Sequence, residues 1–177
     1  MGASGVVVYL GLGSNQGDSR ALLQRGVHEL RSQGVVARRC SSLYLGPYVG
    51  PGAPQRQYWN AVVEAVTALP PLELLAATRT VERRCGRQTP RHLQPRSLDV
   101  DVLFYARWRV LQPRLIVPHP RLGERRFVLE PLDELGVLAA LGGTELVARL
   151  AQLRACQRLE RLPGALSPGD ARALAPA

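Results

Sequence analysis

Two aspartates, Asp99 and Asp101, stand one residue apart in the run Leu98-Asp99-Val100-Asp101-Val102. Aliphatic and acidic residues alternate there, so the run predicts a β-strand, read here from Pro95 to Tyr105, with both carboxylates on one face. Side chains two apart on a strand lie roughly 6–7 Å from each other, close enough for like charges to repel. A cation relieves that repulsion, and Mg²⁺ takes one or two carboxylates together with substrate phosphates. Arginines crowd upstream, at Arg83, Arg84, Arg87, Arg91 and Arg96. The arginine fork matches phosphate oxygens, so a basic loop feeding an acidic strand has the parts of a triphosphate site. The same residues also fit a half-exposed edge strand beside a solvated basic loop, and the segment alone leaves both readings open.

Other residues add chemistry more weakly. Tyr58 to Val66 alternates as a strand, with Tyr58, Asn60, Val62 and Glu64 on one face. Asn60 is an unusual strand residue. Its amide offers two donors and an acceptor oxygen, which suits the edge of a heterocycle as well as it suits solvent. His119 is held between Pro118 and Pro120, although a lone histidine is more often structural than catalytic. The stretch from Leu45 to Pro54 is dense in glycine and proline and fits no regular element. A loop of that length inside a compact domain is often functional. Gly11 and Gly13 permit close backbone approach, to a ligand or to another segment.

These residues need a frame. Val6 to Leu12 reads as a buried strand. A helix capped at Asp18 or Ser19 carries Leu23, Val27 and Leu30 on one face and stops at Gly34. Val35 to Tyr44 predicts a second strand, and Tyr58 to Val66 a third. Pro70-Pro71 opens a helix over Leu72 to Arg84, stopped by Gly86. After the acidic strand comes a short hairpin from Trp108 to Leu111, then a C-terminal helix through Leu146, Leu150 and Leu153 to about Leu159. The order βαββαβ is the split βαβ pattern, so the expected class is α+β and ferredoxin-like. An added hairpin and C-terminal helices give it three-layer α/β/α character. Residues 1–162 are expected to form one domain and residues 163–177 a poorly ordered tail.

Composition narrows the partners. The chain has 177 residues, 46% of them hydrophobic, enough for one real core. Its formal net charge is +9, and all 23 basic residues are arginine. Such a balance favours polyanionic ligands, although a whole-chain arginine bias also has compositional origins. Cys40, Cys85 and Cys156 are widely spaced and make neither a CxxC nor a zinc pattern, so reduced thiols and a cytoplasmic location are expected. No run approaches the about 20 apolar residues needed to span a bilayer.

Taken together, the motifs resemble a known family. Leu12-Gly13-Ser14-Asn15, Tyr58-Trp59-Asn60-Ala61, Glu82 to Gly86-Arg87, Pro95-Arg96-Ser97-Leu98-Asp99-Val100-Asp101, Val117-Pro118-His119-Pro120-Arg121 and Glu124-Arg125-Arg126-Phe127-Val128-Leu129 follow one another. Their content and order resemble the 6-hydroxymethyl-7,8-dihydropterin pyrophosphokinases of folate synthesis, over residues 6 to about 135. The resemblance implies transfer of the β,γ-diphosphate of ATP to the pterin hydroxymethyl group, with AMP released. It implies two Mg²⁺ ions on Asp99 and Asp101, and an ATP clamp of Glu82, Arg87, Arg96, His119 and Arg125. Arg87, Arg96, Asp99 and Asp101 would carry the catalysis. The pterin would lie between Tyr58 and Phe127, read by Asn60 and by backbone around Pro47, Val49 and Gly50. The loops at 46–57 and 87–97 would be lids. ATP and the pterin would be the partners of a monomer that is free to associate with other folate enzymes, with no nucleic acid and no membrane.

The chain departs from the pattern at Gln94, where the family usually has Gly or Ala, at Leu93, often Trp, and at Ser97, usually Thr. The first two bear on loop closure rather than on the metal site. Two other classes compete. A polymerase-β-type nucleotidyltransferase also joins a Gly-Ser turn to an acidic pair, but there the acids follow within about one helix, whereas Asp99 lies two strands further on. An RNA-binding ferredoxin-like module needs exposed aromatics in an RNP-type motif. This chain is 5% aromatic and has no such motif.

Overall fold

The computed structural model describes residues 5–50, 53–87 and 94–169. The chain runs β1 (Val6–Ser14), α1 (Ser19–Ser32), β2 (Val35–Cys40), β3 (Ser42–Gly46), β4 (Tyr58–Thr67), α2 (Pro71–Arg84) and β5 (Asp99–Tyr105). The hairpin β6 (Val110–Gln112) and β7 (Leu115–Val117) follows. A short 3-10 turn (Leu122–Glu124) leads to α3 (Arg126–Glu134), α4 (Leu138–Cys156) and β8 (Glu160–Ala165). The main sheet has the order β5-β1-β4-β3-β8, with β2 also on β4, and all its pairs are antiparallel.

The helices cover both faces, and the strand period explains how. Val8, Leu10 and Leu12 of β1 pack with Leu23, Val27 and Leu30 of α1 and Leu74 and Val81 of α2. Tyr9, Val62, Leu103 and Phe104 point the other way, against Val128, Leu129 and Leu132 of α3 and Leu150 and Leu153 of α4. The result is the ferredoxin-like α+β frame in three layers. α1 begins where the Asp18 carboxylate accepts the Ala21 N–H at 3.0 Å. α2 ends at Gly86, whose φ of +90° suits glycine and lets the Arg87 N–H return to the Glu82 carbonyl.

Four expectations are corrected. The second strand is two, because the Ser41 hydroxyl takes the Val62 N–H in place of a backbone carbonyl and interrupts the ladder between β2 and β3. The acidic strand starts at Asp99 rather than Pro95, since Arg96 is tied sideways to Asn15. The C-terminal helix stops at Cys156 rather than about Leu159, and it is preceded from Leu138 by a further turn set off at Gly143, whose φ of +62° is not helical. Finally, the boundary drawn after residue 162 falls inside β8, which pairs with β3 and holds Pro163 and Gly164 within it. Leu166 is buried beyond it, and Ser167 exchanges two hydrogen bonds with the Gln24 amide. The rest of the expected tail, residues 170–177, lies outside the described residues.

Candidate active site

The middle strand of the site is β1, with β4 on one side and β5 on the other. Its register lines up two cross-strand rows. Gly13 stands opposite Asn60 on β4 and Asp99 on β5, and Gly11 stands opposite Val62 and Asp101. Because both middle positions are glycine, β1 itself raises no side chain between the aromatic side and the acidic side. A cavity of about 290 Å³ fills that space. Its walls include Tyr48, Tyr58, Asn60 and Phe127 at one end and Arg96, Asp99, Asp101 and Arg125 at the other. Pro47, Val49, Gly50 and Gln94 line it as well.

The acidic end is held by arginine. Arg87 Nη1 donates to Asp99 Oδ1 at 2.8 Å, and Arg96 Nη1 donates to Asp99 Oδ2 at 2.6 Å. Arg125 Nη1 donates to Asp101 Oδ2 at 2.9 Å. Arg125 also lies over the Phe127 ring, 5.7 Å from its centroid. Its Nε is buried and has no hydrogen-bond partner among the described residues. A buried guanidinium nitrogen left over in this way is suited to an incoming anion oxygen.

Glu82 and His119 stand behind this front row and do not line the cavity. Glu82 accepts the Val100 N–H at 2.9 Å and pairs with Arg87. Burial pushes its carboxyl up to about 7, against the pull of the Val100 N–H and the Arg87 guanidinium. His119 Nδ1 accepts the Arg121 N–H at 3.2 Å, which leaves the proton of the neutral ring on Nε2, 3.8 Å from Asp101 Oδ2. Burial holds the imidazole below its usual range, Asp101 opposes this, and Arg125 and Arg121 reinforce it.

At the aromatic end, Asn60 Nδ2 donates to the Tyr58 carbonyl at 3.0 Å. Tyr58 and Phe127 both border the cavity, but the ring stacked on Tyr58 is Tyr48, with centroids 6.0 Å apart. Sequence reasoning gave no role to Tyr48, Arg121, Gln55 or Asn15. Asn15 carried the available signal, since it follows the Gly-x-Gly-Ser turn directly. Arg91, Leu93, Pro51 and Gly52 lie outside the described residues.

Known proteins share this frame. The family described as 7,8-dihydro-6-hydroxymethylpterin-pyrophosphokinase (HPPK) matches residues 9–137. A Bacillus subtilis 2-amino-4-hydroxy-6-hydroxymethyldihydropteridine pyrophosphokinase is 40% identical over 130 residues, 73% of this chain and 77% of that protein. A Methylorubrum extorquens enzyme of the same name is 40% identical over 148 residues, 82% and 92% respectively. The mitochondrial folate synthesis bifunctional protein of Arabidopsis thaliana is 40% identical over 128 residues, but this chain spans only 23% of its length. Among solved structures, Plasmodium falciparum HPPK-DHPS with pterin and p-hydroxybenzoate has a TM-score of 0.64 at 13% identity, over 90% of this chain and 47% of that one. An HPPK-DHPS in complex with substrates has a TM-score of 0.61 at 9% identity, over 84% and 43%. With a family match over most of its length, and with its motif residues gathered around one cavity, the chain belongs to the 7,8-dihydro-6-hydroxymethylpterin-pyrophosphokinase family.

Proposed function

We propose that this chain transfers the β,γ-diphosphate of ATP to the hydroxymethyl oxygen of 6-hydroxymethyl-7,8-dihydropterin, forming the pterin diphosphate and AMP. The observation that carries this reading is the two-ended cavity. A flat aromatic pocket and an arginine-carboxylate cluster meet across Gly11 and Gly13, with no β1 side chain between them. In such a cavity the acceptor oxygen meets the β-phosphorus with both substrates held, and positioning of this kind supplies much of the rate of phosphoryl transfer.

Asp99 and Asp101 would hold two Mg²⁺ ions. The donor set fits: both side chains rise from one face of β5, half exposed to the cavity. Among the described residues no group of three or more His, Cys, Asp or Glu could hold a metal. That suits an ion whose remaining ligands are phosphate oxygens and water. The metal, when bound, neutralises charge on the bridging phosphates.

The protein side of the reaction is an exchange of partners. Arg87 and Arg96 rest on Asp99 and Arg125 rests on Asp101; with those carboxylates holding metal, the guanidiniums would be available to donate to phosphate oxygens. Glu82 keeps Arg87 anchored at the cavity rim during that exchange. The His119 Nε2–H stands behind Asp101, 3.8 Å from its Oδ2, and would reach only a phosphate oxygen drawn in beside that carboxylate. Tyr58 and Phe127 provide ring faces for the pterin, and Asn60, with Pro47, Val49 and Gly50, its polar edge. The bond formed is oxygen to β-phosphorus, and the bond broken joins the β-phosphorus to the bridging oxygen that leaves with AMP.

The enzyme is proposed to act as a monomer in the cytoplasm. The unpaired state of Cys40, Cys85 and Cys156 supports a reducing compartment. The bifunctional relatives support association with other folate enzymes. Incubation with ATP, Mg²⁺ and the pterin, followed by chromatography, tests the reaction. Pterin-dependent AMP, matched by a pterin diphosphate and lost with EDTA, is the expected result. ADP as product, or AMP released without pterin, overturns it.

A further inference from the structure

Asn15 is 4% exposed, and its backbone N–H and both ends of its side-chain amide are hydrogen-bonded. Its backbone N–H donates to the Arg96 carbonyl at 3.1 Å, and its Oδ1 accepts the Arg96 N–H at 2.8 Å. Its Nδ2 donates to Gln55 Oε1 at 3.1 Å and to the Arg56 carbonyl at 3.3 Å. Gln55 Oε1 accepts a second bond, from the Tyr58 hydroxyl at 3.3 Å. Arg96 in turn lies on Asp99, and Tyr58 stacks with Tyr48. A continuous polar path therefore runs Asp99–Arg96–Asn15–Gln55–Tyr58, from the phosphate end of the cavity to the aromatic end.

We infer that Asn15 and Gln55 are positioning residues that couple the two substrates, so that ordering the aromatic end by pterin also orders Arg96 for the nucleotide. The inference rests on the pyrophosphokinase reading. Residue chemistry supports it. An amide is the side chain of this size that accepts and donates at once, and Asn15 uses both capacities on different segments. Aspartate would keep the bond to Arg96 and lose both donations, while serine would not reach all three partners. Buried polar groups are costly to leave unpaired, so Asn15 follows its partners when either one moves. The partners of Asn15 lie in two different loops, Gln55 and Arg56 in 53–57, which leads into β4 at Tyr58, and Arg96 in 94–98, which leads into β5 at Asp99. Asn15 thus ties together parts of the chain that would otherwise respond to their ligands separately.

The test measures coupling rather than rate. The dissociation constant of a non-hydrolysable ATP analogue with Mg²⁺ is determined by calorimetry, with and without saturating pterin. Wild-type protein, Asn15→Asp and Gln55→Leu are compared. Gln55 is half-buried, so Gln55→Leu retains the fold and decides the matter if Asn15→Asp does not. In the wild type, pterin is expected to tighten the analogue by about 5-fold or more, within the usual range of site-to-site coupling. In Gln55→Leu that ratio is expected to fall to about 1, with the analogue alone bound within about threefold of wild type. A relay that only staples the loops would shift the melting temperature and leave the ratio intact, which would overturn the inference. Wild-type protein that binds both ligands without coupling also overturns it while sparing the reaction. Wild-type protein that binds neither overturns both.

Discussion

Two clusters of three acids and three arginines stand in this molecule, and they have opposite characters. The first gathers Glu82, Asp99 and Asp101 with Arg87, Arg96 and Arg125. The second gathers Glu130, Asp133 and Glu134 with Arg126, Arg154 and Arg161. Each borders a cavity, and the second cavity, at about 350 Å³, is no smaller than the first. The second is closed upon itself: Glu134 alone accepts from the Ser42 N–H, the Ser42 hydroxyl, the Tyr44 hydroxyl and Arg161. The first is left incomplete, with Arg125 Nε unpartnered among the described residues and the Glu82 carboxyl pushed up by burial. Charge and volume alone do not mark a site. What marks it is polar capacity that the protein leaves unspent, beside a surface shaped for a flat ligand.

Mutations sharpen the contrast. If Asp99 and Asp101 hold the metal as proposed, Asp99→Ala or Asp101→Ala should lower transfer by about 10³-fold or more, because charge neutralisation at the phosphates would be lost. Circular dichroism should show the fold intact. Glu130→Gln in the other cluster should leave kcat within about twofold. Equal losses from both clusters would erase the distinction. Arg96→Ala should cost about 10²–10³-fold in kcat with a smaller change in KM for ATP, as expected of a guanidinium whose contacts strengthen in the transition state. Arg154→Ala, on the far cluster, should leave both constants unchanged.

A third substitution probes the floor between the two ends. A Cβ at Gly13 would meet Asn60 Oδ1 at 3.5 Å and Tyr58 Cδ1 at 3.6 Å, ordinary contacts that the fold accepts. The methyl would nonetheless occupy part of the cavity in which the pterin is proposed to lie. Gly13→Ala should raise the KM for pterin by roughly 10-fold with the melting temperature unchanged, since one added methyl costs binding about 1–3 kcal/mol when it displaces a bound group.

The acidic strand, the aromatic strand and the order of elements were legible because each is a local pattern. Alternation placed Asp99 and Asp101 on one face, and Tyr58 and Asn60 on another, before any tertiary contact was known. The meeting of those faces was not legible, because it depends on strand register. Nothing in the spacing shows that Gly13 stands between Asn60 and Asp99, and that row is what makes the cavity. Ser41 hid the break between β2 and β3 for a similar reason, since its effect lies in one hydroxyl reaching the Val62 N–H. β8 was missed because Pro163 and Gly164 read as loop residues, yet an edge strand tolerates both. Asn15 was visible as a motif letter, but its partners come from two segments some 40 and 80 residues away.

The smallest expected effect concerns stability alone and belongs to the closed cluster. Glu134→Ala strips partners from the Ser42 N–H and the Tyr44 hydroxyl, both in buried residues. Each lost partner costs about 1 kcal/mol or more, so roughly 2 kcal/mol in total, or about 4–8 °C in melting temperature, with kcat unchanged. The pH dependence has a definite sign. Burial works to raise the Glu134 carboxyl, but the Ser42 and Tyr44 hydrogen bonds and Arg161 outweigh it and hold it below its ordinary 4.5. Glu130 is likewise held low, chiefly by Arg154 and against burial, with Arg126 assisting. A carboxyl lowered in the folded state adds stability that is fully present above its unfolded value and is lost as pH falls through its folded value. The contribution of these two carboxyls to the melting temperature should therefore be level above about pH 5.5 and drop below about 4.5, while the Glu82 carboxyl, raised to about 7, acts with the opposite sign and favours the fold at lower pH in wild type and variant alike. In Glu134→Gln the level portion should sit lower and the acid drop should be shallower, because one of the two linked protonations is gone. A thermal-melt series from pH 3 to 8 checks this, and an acid drop equally steep in the variant would show that the cluster is not where the acid sensitivity resides.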